Sequence, residues 1–160
     1  MAAAADDPIA RHCRRLVRRA ALKAAGVSAI PVAGVDLFVN GRLLATTIGE
    51  ISLAYGLAPE QLARLPAPLR SRVDDLAVEL GSYLIGRVLT QGVIVAALKH
   101  LGVRLSAQQA AKFAPLVGQA ASAALSGWMF KRLCDRHIAQ CRSVRARLPE
   151  LPAPPVPVEA

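Results

Sequence analysis

Residues 113–130 read FAPLVGQAASAALSGWMF and contain no charged side chain. Residues 80–98, LGSYLIGRVLTQGVIVAAL, are similar, with Arg87 as their only charge. Each run approaches the roughly 20 apolar residues that an α-helix needs to cross a bilayer. The two runs predict a long apolar helical hairpin, formed by residues 69–102 and 106–147, as the spine of an all-α helical bundle.

Small residues recur at four-residue spacing along both runs. This spacing places side chains on one face of a helix, and small side chains let two backbones approach closely. The pattern is compatible with the centre of a soluble bundle as well as with a bilayer. The predicted helix-packing residues are Gly86, Gly92, Gly118, Ser122 and Ser126.

The charges near the hairpin argue against a simple transmembrane span. A central arginine such as Arg87 costs on the order of 2.5 kcal/mol to insert. The connection between the two runs and the segment after them are both basic, so the positive-inside rule gives no orientation. We therefore expect a hairpin that is partly or reversibly embedded in the membrane.

Two groups of basic residues flank the apolar runs. Asp7 followed by Pro8 predicts a helix start, because Asp caps free amides and Pro fits the first turn. The helix of residues 8–25, which Gly26 would end, has one apolar face. The side chains that we expect to contact lipid or phosphate are Arg11, Arg14, Arg15 and Arg18 of this helix and Lys131, Arg132 and Arg136.

Pro and Gly residues divide the rest of the chain. In AIPVAGVD, residues 29–36, Pro31 lacks an amide donor and Gly34 is flexible, which predicts an apolar elbow, and Asp36 can cap the next helix. Gly56 predicts the end of that helix. Residues 149–160 are dense in proline and predict a disordered tail. With a disordered N-terminus at residues 1–7, one helical domain remains over residues 8–148.

Composition favours a membrane surface as the partner. A net charge of +9 accompanies 54% hydrophobic residues, and the mean hydropathy is +0.37, whereas basic soluble domains are usually more polar. Aromatic residues make up only 4% of the chain and no docking motif is evident, so nucleic-acid binding is not expected. The N-terminus lacks the order of a secretory signal, and the cysteines lie in helical patterns. We expect a cytoplasmic protein at the inner face of the membrane.

Cysteine and histidine side chains on one helix face raise the question of a metal. Cys134, His137 and Cys141 are spaced i, i+3 and i+7, and these are ligand types that zinc uses. Buried structural cysteines are the commoner explanation, and paired Cys-x-x-Cys motifs are absent from the sequence. The adjacent Asp74 and Asp75 point apart on a helix and make a poor acid–base pair. No metal, cofactor or catalytic site is expected.

Two stretches resemble a known family. Residues 29–36, which lead into a helix ending LAYGL at residues 53–57, and KFAPLVGQAASAAL at residues 112–125 resemble the helical domain found C-terminal to many bacterial GTPases. That domain is related to the helical domain of immunity-related GTPases, and the resemblance covers residues 25–145. Ala33 stands where a second proline is frequent, and no Gly-x-x-x-x-Gly-Lys phosphate loop is present in the sequence. The resemblance implies a bacterial, membrane-proximal helical module without nucleotide hydrolysis.

The combined expectation is a non-catalytic, membrane-associated helical scaffold or regulatory module. Membrane lipids are its expected partner, with a protein partner or a second copy of the chain as a further one. The alternative is a soluble helical bundle that binds nucleic acid or a protein through the same arginine-rich faces.

Overall fold

A computed structural model describes residues 7–28, 35–82, 84–88, 90, 93 and 115–155, with the side chains of residues 27, 28, 35–40 and 115–126 outside the description. All regular structure in these residues is helical, which confirms the predicted all-α bundle. The helices are α1 (Pro8–Ser28), α2 (Val35–Ala54), α3 (Pro59–Leu62), α4 (Ala67–Glu79) and α5 (Pro115–Arg147).

Helix α1 packs antiparallel to α5, and α2 covers both. At one end, Asp7 pairs with Arg142. At the other end, Gly127 lies against Ala21 and Ala25. The end of α2 meets the start of α1, because the Tyr55 hydroxyl donates a hydrogen bond to the Asp7 carboxylate.

The core follows the helical spacing of the sequence. On α1, Cys13, Val17, Ala20 and Ala24 are buried, whereas the side chains between them are largely exposed. This confirms the predicted amphipathic helix. Helix α1 runs to Ser28 and includes Gly26, where the sequence predicted its end. The remaining core side chains with no exposed surface are Ile48, Ile51, Leu57, Val73, Cys134, His137, Cys141 and Val144.

Helices α2 and α4 end in the same hydrogen-bonded turn around a left-handed glycine. At α2, Gly56 has φ +70°, and the Leu57 amide donates to the Ser52 carbonyl at 2.8 Å. At α4, Gly81 has φ +61°, and the Ser82 amide donates to the Ala77 carbonyl at 2.7 Å. These are Schellman motifs, which favour glycine because a Cβ is strained in this conformation.

The end of α4 corrects the predicted hairpin. The sequence predicted a helix through residues 80–98, but α4 stops at Glu79 because Gly81 turns the chain. Gly86 also lies in a turn, at φ +73°, so its predicted role in helix packing is wrong. A Cβ at Gly86 would lie 2.9 Å from Leu62 Cδ1, and this close approach explains the glycine. Among the helices of the described residues, none is both long and apolar enough to cross a bilayer.

Several predicted positions fall on residues or side chains outside the description. Gly92, Pro31 and Gly34 lie outside the described residues, as do residues 1–6 and 156–160. Helix α2 already begins at Val35, so Asp36 is its second residue and not the predicted cap. Gly118, Ser122 and Ser126 lie in α5, within the segment whose side chains are not described.

The first part of the proline-rich tail differs from the predicted disorder. Residues 149–155 lie against the bundle, with Leu151 buried. Arg145 Nη2 donates a hydrogen bond to the Pro152 carbonyl at 2.9 Å, and Glu150 pairs with Arg72. An apolar anchor and a side-chain donor therefore fix a segment that contains little regular structure.

Candidate functional site

The outer face of α1 is strongly basic. Its buried face is apolar, so the charged side chains are left on the solvent side. The helix contains no acidic residue. Within the described part of the chain, no carboxylate pairs with Arg14 or Arg18. The exposed cations of this face are Arg11, Arg14, Arg15, Arg18, Arg19 and Lys23.

The predicted basic residues of α5 are also exposed but do not form one group. Lys131 pairs with Asp135 one turn later. The Arg132 guanidinium lies 5.1 Å from the centre of the Trp128 ring. Arg136 is turned about 140° around the helix from Lys131, and its guanidinium approaches Gly81 at the end of α4. Arg136 is therefore separated from Lys131 but lies only about 40° around the helix from Arg132, one turn further along.

Helix packing joins the two basic regions. Asp7 lies opposite Arg142, and Ala21 and Ala25 lie opposite Gly127. This antiparallel register places the segment of α5 from Lys131 to Asp135 alongside the middle of α1, where the arginines lie. We define the cationic surface as Arg11, Arg14, Arg15, Arg18, Lys131 and Arg132.

Two large apolar side chains are exposed near the C-terminal end of α1. One belongs to α1 and the other to the neighbouring part of α5. Leu22 is 70% exposed and Trp128 is 55% exposed. They lie at the same end of the bundle, because Gly127 packs against Ala21 and Ala25. Sequence reasoning missed both residues. The available signal was that Leu22 falls among the arginines rather than on the apolar face of α1.

A buried polar cluster lies between α2 and α5. Ser52 Oγ and His137 Nε2 share a hydrogen bond of 2.9 Å, and Cys141 Sγ lies 3.6 Å from the same nitrogen. Burial lowers the pKa of His137 to about 4, so the ring is neutral at physiological pH. Its Nδ1 has no hydrogen-bond partner among the described residues. The cluster links two helices through neutral groups.

The cysteines of the weak metal candidate are buried thiols. Burial raises the pKa of Cys134 and of Cys141 well above the usual thiol range. Burial and the negative charge of Asp7 raise the pKa of Cys13 to about 12. Metals bind thiolates, which these environments disfavour. The described residues contain no group of three or more His, Cys, Asp or Glu side chains placed to hold a metal ion.

Ser52 and His137 are placed like a nucleophile and its base. They lack the solvent access and the orienting group that a catalytic pair uses. Ser52 is 4% exposed and His137 is fully buried, so neither reaches solvent. A catalytic pair also uses a third group to orient the base, and no such group contacts Nδ1 in the residues described. We assign this hydrogen bond to helix packing.

The opposite end of the bundle is internally paired. Asp7 caps α1 by accepting a hydrogen bond from the Ile9 amide at 3.0 Å, as predicted, and its second oxygen lies 3.6 Å from Arg142 Nε. Arg145 Nη1 donates to the Tyr55 carbonyl at 2.9 Å, and its other nitrogen binds the tail. The polar groups here are used within the fold. We call this region the paired end, and the region around Leu22 and Trp128 the exposed end.

No family model matches this chain, and comparisons with curated proteins and with solved structures give no match. The resemblance to the helical domain of bacterial GTPases stays a prediction.

Proposed function

We propose that this protein is a membrane-associated helical scaffold or regulatory module that contacts anionic lipid headgroups through its cationic surface. The observation that carries the proposal is the outer face of α1, which exposes only basic charges. Each Lys or Arg near an anionic membrane surface contributes about 1 kcal/mol of attraction. Several such side chains on one rigid helix give useful affinity without a binding pocket.

The rigidity of the bundle supports a scaffold role. Helix α1 is held along its buried face by α2 and α5, and its start is tied to both through Asp7. The arginines therefore project from a fixed platform, so lipid binding does not require the helix to fold on contact. This differs from an isolated amphipathic peptide, which orders only when it binds.

An exposed aromatic residue beside the cations supports contact with lipid. Trp128 is the single tryptophan of the chain and is exposed next to Arg132. Tryptophan is enriched at membrane interfaces, where its ring lies at headgroup level. An anionic inner leaflet is the surface that this combination of charge and aromatic side chain fits.

The test is flotation of the full chain with vesicles of phosphatidylcholine alone and with added phosphatidylglycerol. We expect flotation only with the anionic vesicles and its reduction at high salt, because screening weakens exposed charges. The double variant Arg14→Gln/Arg18→Gln should partition about thirtyfold more weakly, from two contributions of about 1 kcal/mol each.

The matched control removes the same charge elsewhere. Arg64 and Arg70 are exposed, near and within α4, and do not belong to the cationic surface. Arg64→Gln/Arg70→Gln should bind almost as wild type. Equal losses in both double variants would show a response to net charge alone. Failure to float, together with binding of duplex DNA through Arg14 and Arg18, would overturn the proposal in favour of a nucleic-acid-binding bundle.

A further inference from the structure

We infer that the bundle meets the anionic lipid surface with its exposed end, and that Trp128 enters the interface beside Leu22. This inference rests on the proposed membrane association and adds an orientation to it. A basic helix face alone would allow the bundle to lie on its side. The neighbouring exposed side chains of Leu22 and Trp128, and the ion pairs at the opposite end, favour one end.

The exposed end presents the apolar atoms that an interface requires. Leu22 and Trp128 are 70% and 55% exposed, although large apolar side chains are usually buried. Both are close to cations, Leu22 on the arginine face of α1 and Trp128 beneath Arg132. An apolar group next to a basic group fits the boundary between acyl chains and phosphates.

The contact between Arg132 and Trp128 supports this orientation. The guanidinium lies 5.1 Å from the ring centre, within the range of a cation–π interaction. A long arginine side chain can keep its charge at phosphate level while its stem lies along apolar surface. The pair therefore presents a ring for the interface and a cation for the phosphate, one helical turn apart.

Three ion-paired acidic side chains lie away from the exposed end. Asp7 and Glu150 lie at the paired end, and Glu79 pairs with Arg147 near the end of α5. Docking by the paired end would bring carboxylates towards anionic lipid and would require these contacts to be desolvated. Docking by the exposed end leaves these three ion pairs in solvent.

The extension of α5 beyond Gly127 supports the same orientation. The helix backbone extends from Gly127 back to Pro115, and the sequence of this segment contains no charge. An approach by the exposed end therefore leads with this uncharged segment, and Leu22 and Trp128 follow behind it. The α1 cations Arg18, Arg19 and Lys23 lie within about one turn of Leu22, at the level of the lipid headgroups in this orientation.

The single tryptophan provides a direct readout. With the wild-type chain and phosphatidylcholine–phosphatidylglycerol vesicles, Trp128 emission should shift to shorter wavelength and be quenched by lipids brominated in the acyl chain. Leu22→Ala should weaken partition about fivefold, because the lost carbons remove about 1 kcal/mol of partial apolar burial. The matched control is Val78→Ala on α4, a side chain that is 79% exposed and should not matter.

The two proposals fail differently. Flotation with unchanged Trp128 emission and wild-type partition of Leu22→Ala would overturn docking by the exposed end but leave membrane association standing. Absence of flotation would overturn both. Trp128 emission that is already at short wavelength without lipid, and that changes on dilution, would show that a second copy covers this end and would also overturn the inference. Circular dichroism of each variant ensures that a folded chain is compared.

Discussion

The two ends of the bundle use the same kinds of residue in opposite ways. At the paired end, Arg142 and Arg145 bind groups of the chain itself, namely the Asp7 carboxylate and the carbonyls of Tyr55 and Pro152. At the exposed end, arginines lie beside apolar side chains that remain in solvent. The basic side chains therefore occupy two environments. Some hold helix ends together, and others lie exposed on the outer face of α1.

The difference suggests that stability and binding are separable in this protein. Burial and hydrogen bonding set the free energy of folding, whereas exposed charges contribute little to it but much to contacts with a charged surface. Substitutions at the two ends should consequently change different measurements. The following predictions test that separation, in order of expected effect on the free energy of unfolding.

The largest effect is expected from a cavity near the paired end. Ile51 is fully buried in α2, so Ile51→Ala should lower the free energy of unfolding by about 3 kcal/mol in urea titrations followed by circular dichroism. Leu22→Ala, at the exposed end, should change it by less than about 0.5 kcal/mol. Similar losses for both variants would contradict the separation.

The buried histidine should make stability depend on pH. The pKa of His137 is about 4 in the folded protein because of burial, below the ordinary value of 6.5. The unfolded chain takes up a proton as the pH falls below about 6.5, while the folded chain does not until about pH 4, so stability is lost at about 1.4 kcal/mol per pH unit across this window. Urea unfolding of wild type and of His137→Gln measures this contribution as a difference.

A second histidine controls for general acid effects. His12 is only partly buried, and His12→Gln should retain the steep loss of stability between pH 6.5 and pH 4. If wild type and His137→Gln lost stability in parallel over this range, the neutral buried state of His137 would be refuted.

Two glycines should respond to alanine with opposite signs. Gly56 has φ +70°, and a Cβ there would lie 3.3 Å from Arg145 Nη1, so Gly56→Ala should lower the free energy of unfolding by about 1 to 2 kcal/mol. Gly26 is helical with open space around it, and Gly26→Ala should raise stability by about 0.5 kcal/mol. Thermal unfolding measures both changes. A loss of stability in Gly26→Ala would show that the added Cβ meets other atoms at this end of α1.

The smallest effect on stability is expected at the ion pair between Lys131 and Asp135. Both side chains are substantially exposed and lie one helical turn apart, so Asp135→Asn should change the free energy of unfolding by less than about 0.5 kcal/mol. The same change removes the ion-pair partner of Lys131, which belongs to the cationic surface. Partition onto anionic vesicles should rise about fivefold. Unchanged partition would place Lys131 outside the lipid-contacting surface.

Local signals predicted the parts of the fold that depend on neighbouring residues. The cap at Asp7, the apolar face of α1 and the stop at Gly56 follow from spacing and residue type, and the structure has all three. The stop at Gly81 was missed because a glycine within an apolar run also fits a continuous helix. Its turn is supported by Gln140 of α5, whose side-chain amide donates to the carbonyls of Leu80 and Gly81.

The candidate site was predictable only in part. The arginines of α1 were evident from the charge on one helix face, but their proximity to α5 depends on the antiparallel register. The order of the early tail was not predictable either, because it depends on Arg145 reaching the Pro152 carbonyl. Such contacts form between common residue types, and the packing of distant segments decides which of them become partners.

The sequence by itself determined the helical class, the amphipathic first helix and the excess of positive charge, because helical periodicity and charge are properties of residues close together in the chain. Only the tertiary structure decided that Ser52 meets His137 across 85 positions, that α4 ends at Glu79, and that Leu22 and Trp128 share one exposed end. These outcomes depend on which helix faces bury each other, and that choice is made by the packing of the whole bundle.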